Sequence, residues 1–525
     1  MHHANPRAAA RPAWALAALS LSMLLSSLGT SIANVALPAL QDGFGASFGQ
    51  VQWVVLAYLL AATTLVVSAG RLGDLLGRRR LLLAGLAAFT VASALCAAAP
   101  GLPVLIAARA AQGVGAALMM ALTLAVVAGT VPAARTGSAM GLLGTTSAIG
   151  TALGPALGGA LIAAAGWRAV FLVNVPLGLL ALLLALRCLP TDGPATPAER
   201  RFDVGGTILL FLALGAYALA TTTGRVPGAA LLGIAVASTA LFVRHQARVA
   251  APLVRPTMLR DPGLRAGLVT SALISTVMMA TLVVGPFHLS RGLGLGPAAV
   301  GLLMSAGPAV VVLAGIPAGR LVDRVGAARL TTAGLVVMGG GTLALAVAPV
   351  RLGAPGYVAP IVLLTLGYAV VQTANTTSVM AGAGPEGRGV TSGLLTLSRN
   401  LGLITGASVM GAVLALGAGS GHLSDAAPRA VAAGTHLTFA LATALVGVAL
   451  GIASGAGRAG LRTTARGVRP DHTIGKGGRD AQGQQPEARA AVRAHRRERE
   501  EAGAVREAGQ GDRGADGQQG ARPVG

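Results

Sequence analysis

The stretch Gly70-Arg71-Leu72-Gly73-Asp74-Leu75-Leu76-Gly77-Arg78 returns later as Gly319-Arg320-Leu321-Val322-Asp323-Arg324-Val325-Gly326. Each copy closes one long apolar run and opens the next, with an acid and arginines set between glycines. Gly70, Gly73 and Gly77 let a chain turn tightly and let helices approach. Two copies at matching places imply two homologous halves. Outward from both lie apolar runs of the length that crosses a ~30 Å hydrocarbon core, roughly 20 residues as helix. We read fourteen such segments, from 13–36 to 435–456. The runs are too long for strands and lack period-two alternation, so a β-barrel is excluded. The expected fold is an all-α membrane protein with 14 transmembrane helices. It comprises an N-terminal segment 1–12, a six-helix half over 13–190, two inserted helices within 191–265, and a second six-helix half over 266–456. Residues 457–525 are rich in Arg, Glu, Gln and Gly and read as a disordered tail.

Bulk composition agrees. Of 525 residues, 54% are hydrophobic and 11% charged, against about 25% charged in soluble domains. So apolar a surface takes the lipid bilayer as its solvent. The 75 glycines suit the close helix contacts that hold bundles together in lipid. A net charge of +22 resembles a nucleic-acid signal, yet thirteen basic residues lie beyond Gly460 and most others sit in short loops. That distribution implies no nucleic acid partner. It sets membrane orientation instead: Arg71, Arg78, Arg79, Arg80, Arg244, Arg320 and Arg324 fall in alternate loops, while the intervening loops hold only Arg168, Arg225, Arg291, Arg351 and Arg429. Both termini are expected in the cytoplasm. Cys96 and Cys188 read as small buried hydrophobes.

Three motifs carry the functional reading. Arg109-Ala-Ala-Gln112-Gly113 places a guanidinium in an apolar span, at a cost of roughly 2.5–3.5 kcal/mol on insertion scales. Arg109 either faces a wet cavity or a partner, or snorkels to headgroups from the outer helix end. Gly150-Thr-Ala-Leu-Gly154-Pro155-Ala-Leu-Gly158-Gly159 presents glycine every fourth residue, a flat groove for another helix, and Pro155 bends it. Gln372 and Asn375, like Arg399 and Asn400, are polar at membrane depth. They either cross-link helices or line a path.

These motifs, with Trp167-Arg168 to Pro176 and Phe202-Asp203-Val-Gly205, resemble the major facilitator superfamily in its fourteen-helix drug:proton antiporter branch, from about Trp14 to Ala453. The resemblance implies alternating access, efflux from the glycine–proline helix, a cytoplasmic latch at Asp74 and its copy at Asp323, and proton coupling near Arg109. Weaker expectations for the substrate path are Ser31, Asn34, Gln112, Gln372 and Asn375.

One position departs. The family's first helix carries a carboxylate where this chain reads Leu28-Gly29-Thr30-Ser31-Ile-Ala-Asn34. Every other Asp or Glu falls in a loop, at a helix end or in the tail. Any proton coupling then rests on Asp74 or on His288. A cavity holding an uncompensated Arg109 is expected to favour neutral or anionic substrates. No catalytic constellation, phosphate-cradling loop or Cys/His metal cluster appears, so neither an enzyme nor a cofactor is expected. The expected partners are a small-molecule substrate, protons and lipid. A facilitator of the same fold and a non-transporting receptor are the alternatives.

Overall fold

A computed structural model of the chain describes residues 6–130, 133–190, 203–222, 225–249, 258, 260–382, 388–419, 423 and 426–467. The chain divides into two compact units, Met1–Arg462 and Thr463–Gly525. The first is a helical bundle, and the second is described only as far as Gly467. Fourteen helices among the described residues are long and apolar enough to cross a membrane. They are α1 (Pro6–Val35), α2 (Phe48–Leu76), α3 (Arg78–Ala98), α4 (Leu102–Thr130), α5 (Ala133–Ala165), α6 (Asn174–Cys188), α7 (Val204–Thr222), α8 (Arg225–Gln246), α9 (Pro262–Phe287), α10 (Ala306–Val325), α11 (Ala327–Val347), α12 (Gly353–Ala381), α13 (Arg388–Thr405) and α14 (Pro428–Gly467). Short helices Ala169–Leu172 and Pro297–Met304 lead into α6 and α10. Two π-helical turns, His288–Gly292 and Gly406–Met410, extend α9 and α13.

Helices satisfy every backbone group internally, which is what lipid demands. Where they start, the chain supplies caps: Ser47 and Gln50 form a capping box on α2, and Asp261 accepts from Gly263 N at 3.0 Å ahead of Pro262 on α9. α14 runs to Gly467 and so takes in the first eleven residues of the expected disordered tail, 457–467, although three glycines and two threonines stand there beside the helix-forming Ala, Leu and Arg. Residues 468–525 lie outside the described residues.

The repeat read in the sequence is repeated in space. Gly77 joins α2 to α3 at φ 96°, and Gly326 joins α10 to α11 at φ 91°. Both are left-handed single-residue turns that glycine alone adopts without strain. α3 and α4 meet where Gly85 faces Gly115, and α11 and α12 meet where Gly334 faces Gly367. At one further point the copies invert. Gly73 lies against the side chain of Leu122 in the first half, whereas Val322 packs with Ala374 in the second.

The two halves touch at one end of the bundle and part at the other. Toward the end carrying Asp42 and Pro297, Phe48 of α2 sits edge-on to Phe287 of α9 at 4.9 Å. There Gln52 Nε2 donates to Ala407 O at 2.7 Å, Arg291 pairs with Asp42, and Gly159 abuts Gly301. At the end carrying Gly77 and Gly326, an added Cβ at Gly70, Gly141, Gly144, Gly315, Gly319 or Gly393 would meet only open space. Those six positions lie on α2, α5, α10 and α13. Among the described residues, the bundle is therefore closed at the first end and open at the second.

Candidate transport pathway and gates

Arg109 is 1% exposed, among the largest fully buried side chains. Its Nε donates to Val54 O at 2.8 Å, and its Nη1 donates to Gln112 Oε1. Gln112 Nε2 passes the chain on to Ser93 Oγ at 2.7 Å. The guanidinium lies over the Tyr58 ring at 4.3 Å, with Phe171 at 5.8 Å. Tyr58 in turn donates to Ser26 O at 2.9 Å. Nη2 has no hydrogen-bond partner among the described residues. The charge is thus met by π faces, one carbonyl and an amide rather than by a carboxylate. These partners come from α2, α3, α4 and the turn before α6. Arg109 and Gln112 therefore sit inside the first half and do not line a cavity between halves. This corrects the expected route to substrate preference, because a guanidinium enclosed in this way gives the pathway no positive wall.

The site of the missing carboxylate is occupied. A Cβ on Gly29 would meet Phe89 Cζ at 3.1 Å and Cε2 at 3.3 Å, with Tyr58 Oη at 3.5 Å. Gly29 therefore makes room for Phe89 and for Tyr58, the ring that covers Arg109.

Ser31 and Asn34 are also corrected. Ser31 is 1% exposed and donates to Ser27 O at 3.2 Å, and Asn34 is fully buried with Nδ2 on Thr30 O at 2.9 Å. Ser31 Oγ and Asn34 Nδ2 are spent on carbonyls one turn back, the usual fate of such groups inside a helix, while Asn34 Oδ1 has no partner among the described residues. Ser31 packs α1 against Gly154 of α5. The glycine groove of α5 receives α1: Gly150 faces Leu24 O, Gly154 faces Ser31, and Gly158 faces Ile32. Gly159 and Pro155 O turn the other way, toward Gly301. One helix thus binds its own half along one face and the opposite half along another. In the second half, Gly402 and Gly406 of α13 receive Ala272 and Thr276 of α9 in the same manner.

Asn375 ties α12 to α9 through Nδ2 on Gly267 O at 2.9 Å. Gln372 is half-buried, and its Oε1 has no partner among the described residues. That leaves Gln372 with an amide oxygen not spent on packing. Asp323 and Arg399 are exposed at the open end, and Arg78 reaches Ala125 O at 3.5 Å. The side chains of Arg71 and Asp74 lie outside the description. His288 is 8% exposed, with Nδ1 at 3.2 Å from Thr435 Oγ1 and its ring stacked on Tyr357 at 5.5 Å. Cys96 is buried, Cys188 is half-buried, and both are free.

The inserted helix α7 runs along the seam between α2 and α13. Thr222 accepts from Trp53 Nε1 at 3.2 Å, Thr207 meets Ser68 at 3.0 Å, and Tyr217 donates to Thr405 at 3.1 Å. Its foot is Asp203, which accepts from Gly206 N and Gln246 Nε2 and meets His245 Nε2, each at 2.7 Å. Burial works against the Asp203 charge. The Gly206 amide, His245 and Gln246 outweigh it and hold the carboxyl below its ordinary range.

Sequence reasoning missed Tyr58 and Ser93, which complete the Arg109 nest, and it missed both Gln52 and the Phe89 that lies beside Gly29. Only Gln52 left a readable trace, as a lone amide opening an apolar run.

The family model of the Major Facilitator Superfamily matches residues 19–407. The Multidrug resistance protein Stp of Mycobacterium tuberculosis is 34% identical over 407 residues, 76% of this chain and 75% of that protein. The Multidrug efflux pump LfrA of Mycolicibacterium smegmatis is 32% identical over 408 residues, 76% of this chain and 81% of that protein. Among solved structures, a bacterial homolog of the human lysosomal transporter Spinster, inward-facing and unoccupied, matches with a TM-score of 0.65 at 16% identity. The match covers 86% of this chain and 98% of that one, and at that identity the likeness is one of fold.

Proposed function

We propose that this chain, which belongs to the Major Facilitator Superfamily, exports drug- or antibiotic-like small molecules from the cell by alternating access, driven by exchange for protons. The observation that carries the reading is the divided role of α5. Its glycines seat α1 in the same half, while Gly159 meets Gly301 of the opposite half at the closed end. A helix built this way is both a rigid part of one half and a releasable contact with the other, which rocking around a central site requires. The relatives named for multidrug resistance and efflux support export as its direction. The arginine-rich loops support an orientation with both termini in the cytoplasm, so that the open end faces inward and the closed end outward. In this reading Asp74 and Asp323 act at the inner end when it closes, and Gln372 contributes to the substrate path.

Gly29 favours a second reading, an uncoupled facilitator, because aromatic rings occupy the space of the first-helix acid. Uptake of a fluorescent drug into inside-out vesicles, with and without a protonophore, separates the two. Loss of accumulation with protonophore is expected. Equilibration unaffected by protonophore would leave the facilitator.

A further inference from the structure

Two π-helical turns of the second half lie at the closed end: α2 of the first half docks on the turn of α13 and beside the turn of α9, which itself meets Asp42. A π turn inserts an extra residue and disturbs the regular ladder, and such turns gather at functional places. Gln52, 2% exposed, fills the position beside Gly411 and donates to Ala407 O at 2.7 Å in the turn of α13. Phe48, one helical turn earlier, packs on Phe287, the residue immediately before the turn of α9. Arg291, inside that turn, holds Asp42 beyond α1.

His288 opens the same turn, and its hydrogen bonds fix its tautomer. Thr435 Oγ1 donates its proton to Val431 O at 2.8 Å, so toward His288 it accepts, and Nδ1 of the imidazole carries the hydrogen. Nε2 is left with the lone pair and is the atom that can take a proton. The titratable and charged groups around the ring come from three elements. α12 presents Tyr357, stacked at 5.5 Å. α14 presents His436, which acts on the ring electrostatically and is itself turned to Ala348 O at 2.9 Å. The turn itself presents Arg291, already paired with Asp42. Among the described residues no carboxylate faces the ring.

We infer that His288 makes the closed end a proton-sensitive latch: neutral, it lets Phe287 and the π turn pack against Phe48 and Asp42 of the first half; protonated at Nε2, it drives that end open. The reason is electrostatic. A proton places a cation in an enclosed site with a second imidazole nearby and no anion to answer it. Swinging the turn and Phe287 away from Phe48 and Asp42 admits water to the ring. The inference rests on the export reading for which side is acidic, since a proton exchanger must open outward where protons are plentiful.

The test is a distance across the closed end. Spin labels at Pro100→Cys and Arg351→Cys, both exposed there, are introduced with Cys96→Ala and Cys188→Ser into the full chain in liposomes. On lowering the pH from about 7.5 to about 5.5, the longer-distance population should rise at least about fivefold. His288→Gln and His288→Asn should both abolish the rise, and His436→Gln should weaken it. A rise that persists in a folded His288 variant overturns the proposal, and so does a chain with His288 intact whose distances ignore pH. Gradient-driven uptake is read on the same liposomes. Uptake that ignores the gradient while the latch obeys His288 refutes proton-driven export and leaves the latch. Driven uptake with an indifferent latch refutes the latch alone.

Discussion

Two alanine substitutions a few residues apart on α5 should fail in different ways. An added Cβ at Gly150 would stand 2.6 Å from Leu24 O and 3.2 Å from Ser27 Cβ, both on α1 of the same half. At Gly159 it would stand 2.8 Å from Gly301 Cα and 3.0 Å from Gly301 N, on the opposite half. In each case backbone must move, and overpacking of this kind costs about 1–3 kcal/mol. The Gly150 contact lies within one half and persists through rocking, so Gly150→Ala taxes every conformer. Its unfolding temperature should fall by roughly 2–4 °C for each kcal/mol. In the proposed cycle the Gly159 contact exists only while the end carrying Asp42 is closed. Gly159→Ala penalises one conformer and should shift the balance toward outward-open by about 5- to 150-fold with little change in melting. Thermal unfolding in detergent and the Pro100–Arg351 label distance read the two effects separately. Equal melting losses for both variants, or an unchanged distance in Gly159→Ala, would refute the division of labour assigned to α5.

Other consequences are as direct. Arg109→Lys keeps the charge but loses the planar fork that reaches Val54 O and Gln112. Each lost charged hydrogen bond is worth about 1.5–3 kcal/mol, so melting should drop and transport fall about tenfold or more, and a lysine variant with normal transport would contradict the nest. Gly29→Ala should be tolerated, because Phe89 need yield only slightly while the helix gains roughly 0.8–1 kcal/mol. Gly29→Asp should express poorly in cells and recover with Phe89→Leu; failure of that rescue would show that something other than the ring excludes the carboxylate. Asp203 is held below its ordinary range, so its contribution is present above the unfolded carboxylate value near 3.9 and fades as pH falls from there through the folded value. Asp203→Asn should thus lower the melting temperature at pH 7 and make no difference in strong acid, where both proteins have lost the charge.

Much of the fold was legible because lipid leaves few choices. An apolar run of about 20 residues is a helix, and the fourteen spans fall where the runs do. Gly77 and Gly326 announced their turns because no other residue takes that backbone readily. The nest was half legible: Arg109 and Gln112 stand out in an apolar helix, but Tyr58, Ser93 and Phe171 look like ordinary filling until three helices bring them together. Ser31 and Asn34 misled for the opposite reason. Hydroxyl and amide groups suggest a ligand, yet Ser31 Oγ and Asn34 Nδ2 donate within their own helix, which sequence spacing permits but does not reveal. The π turns left no pattern to read, since an extra residue in a turn alters hydrogen bonding without altering hydropathy.

The inverted pair, Gly73 against Leu122 and Val322 against Ala374, has a consequence for descent. If the halves arose from one duplicated ancestor, one of them exchanged small-beside-large for large-beside-small, and neither residue can have crossed alone without a clash or a void. Gly73→Val should therefore be harmful by itself and tolerated with Leu122→Ala, because the protein already carries a working copy of that solution in its other half. Swapping segments between halves succeeds only when both members of such a pair travel together.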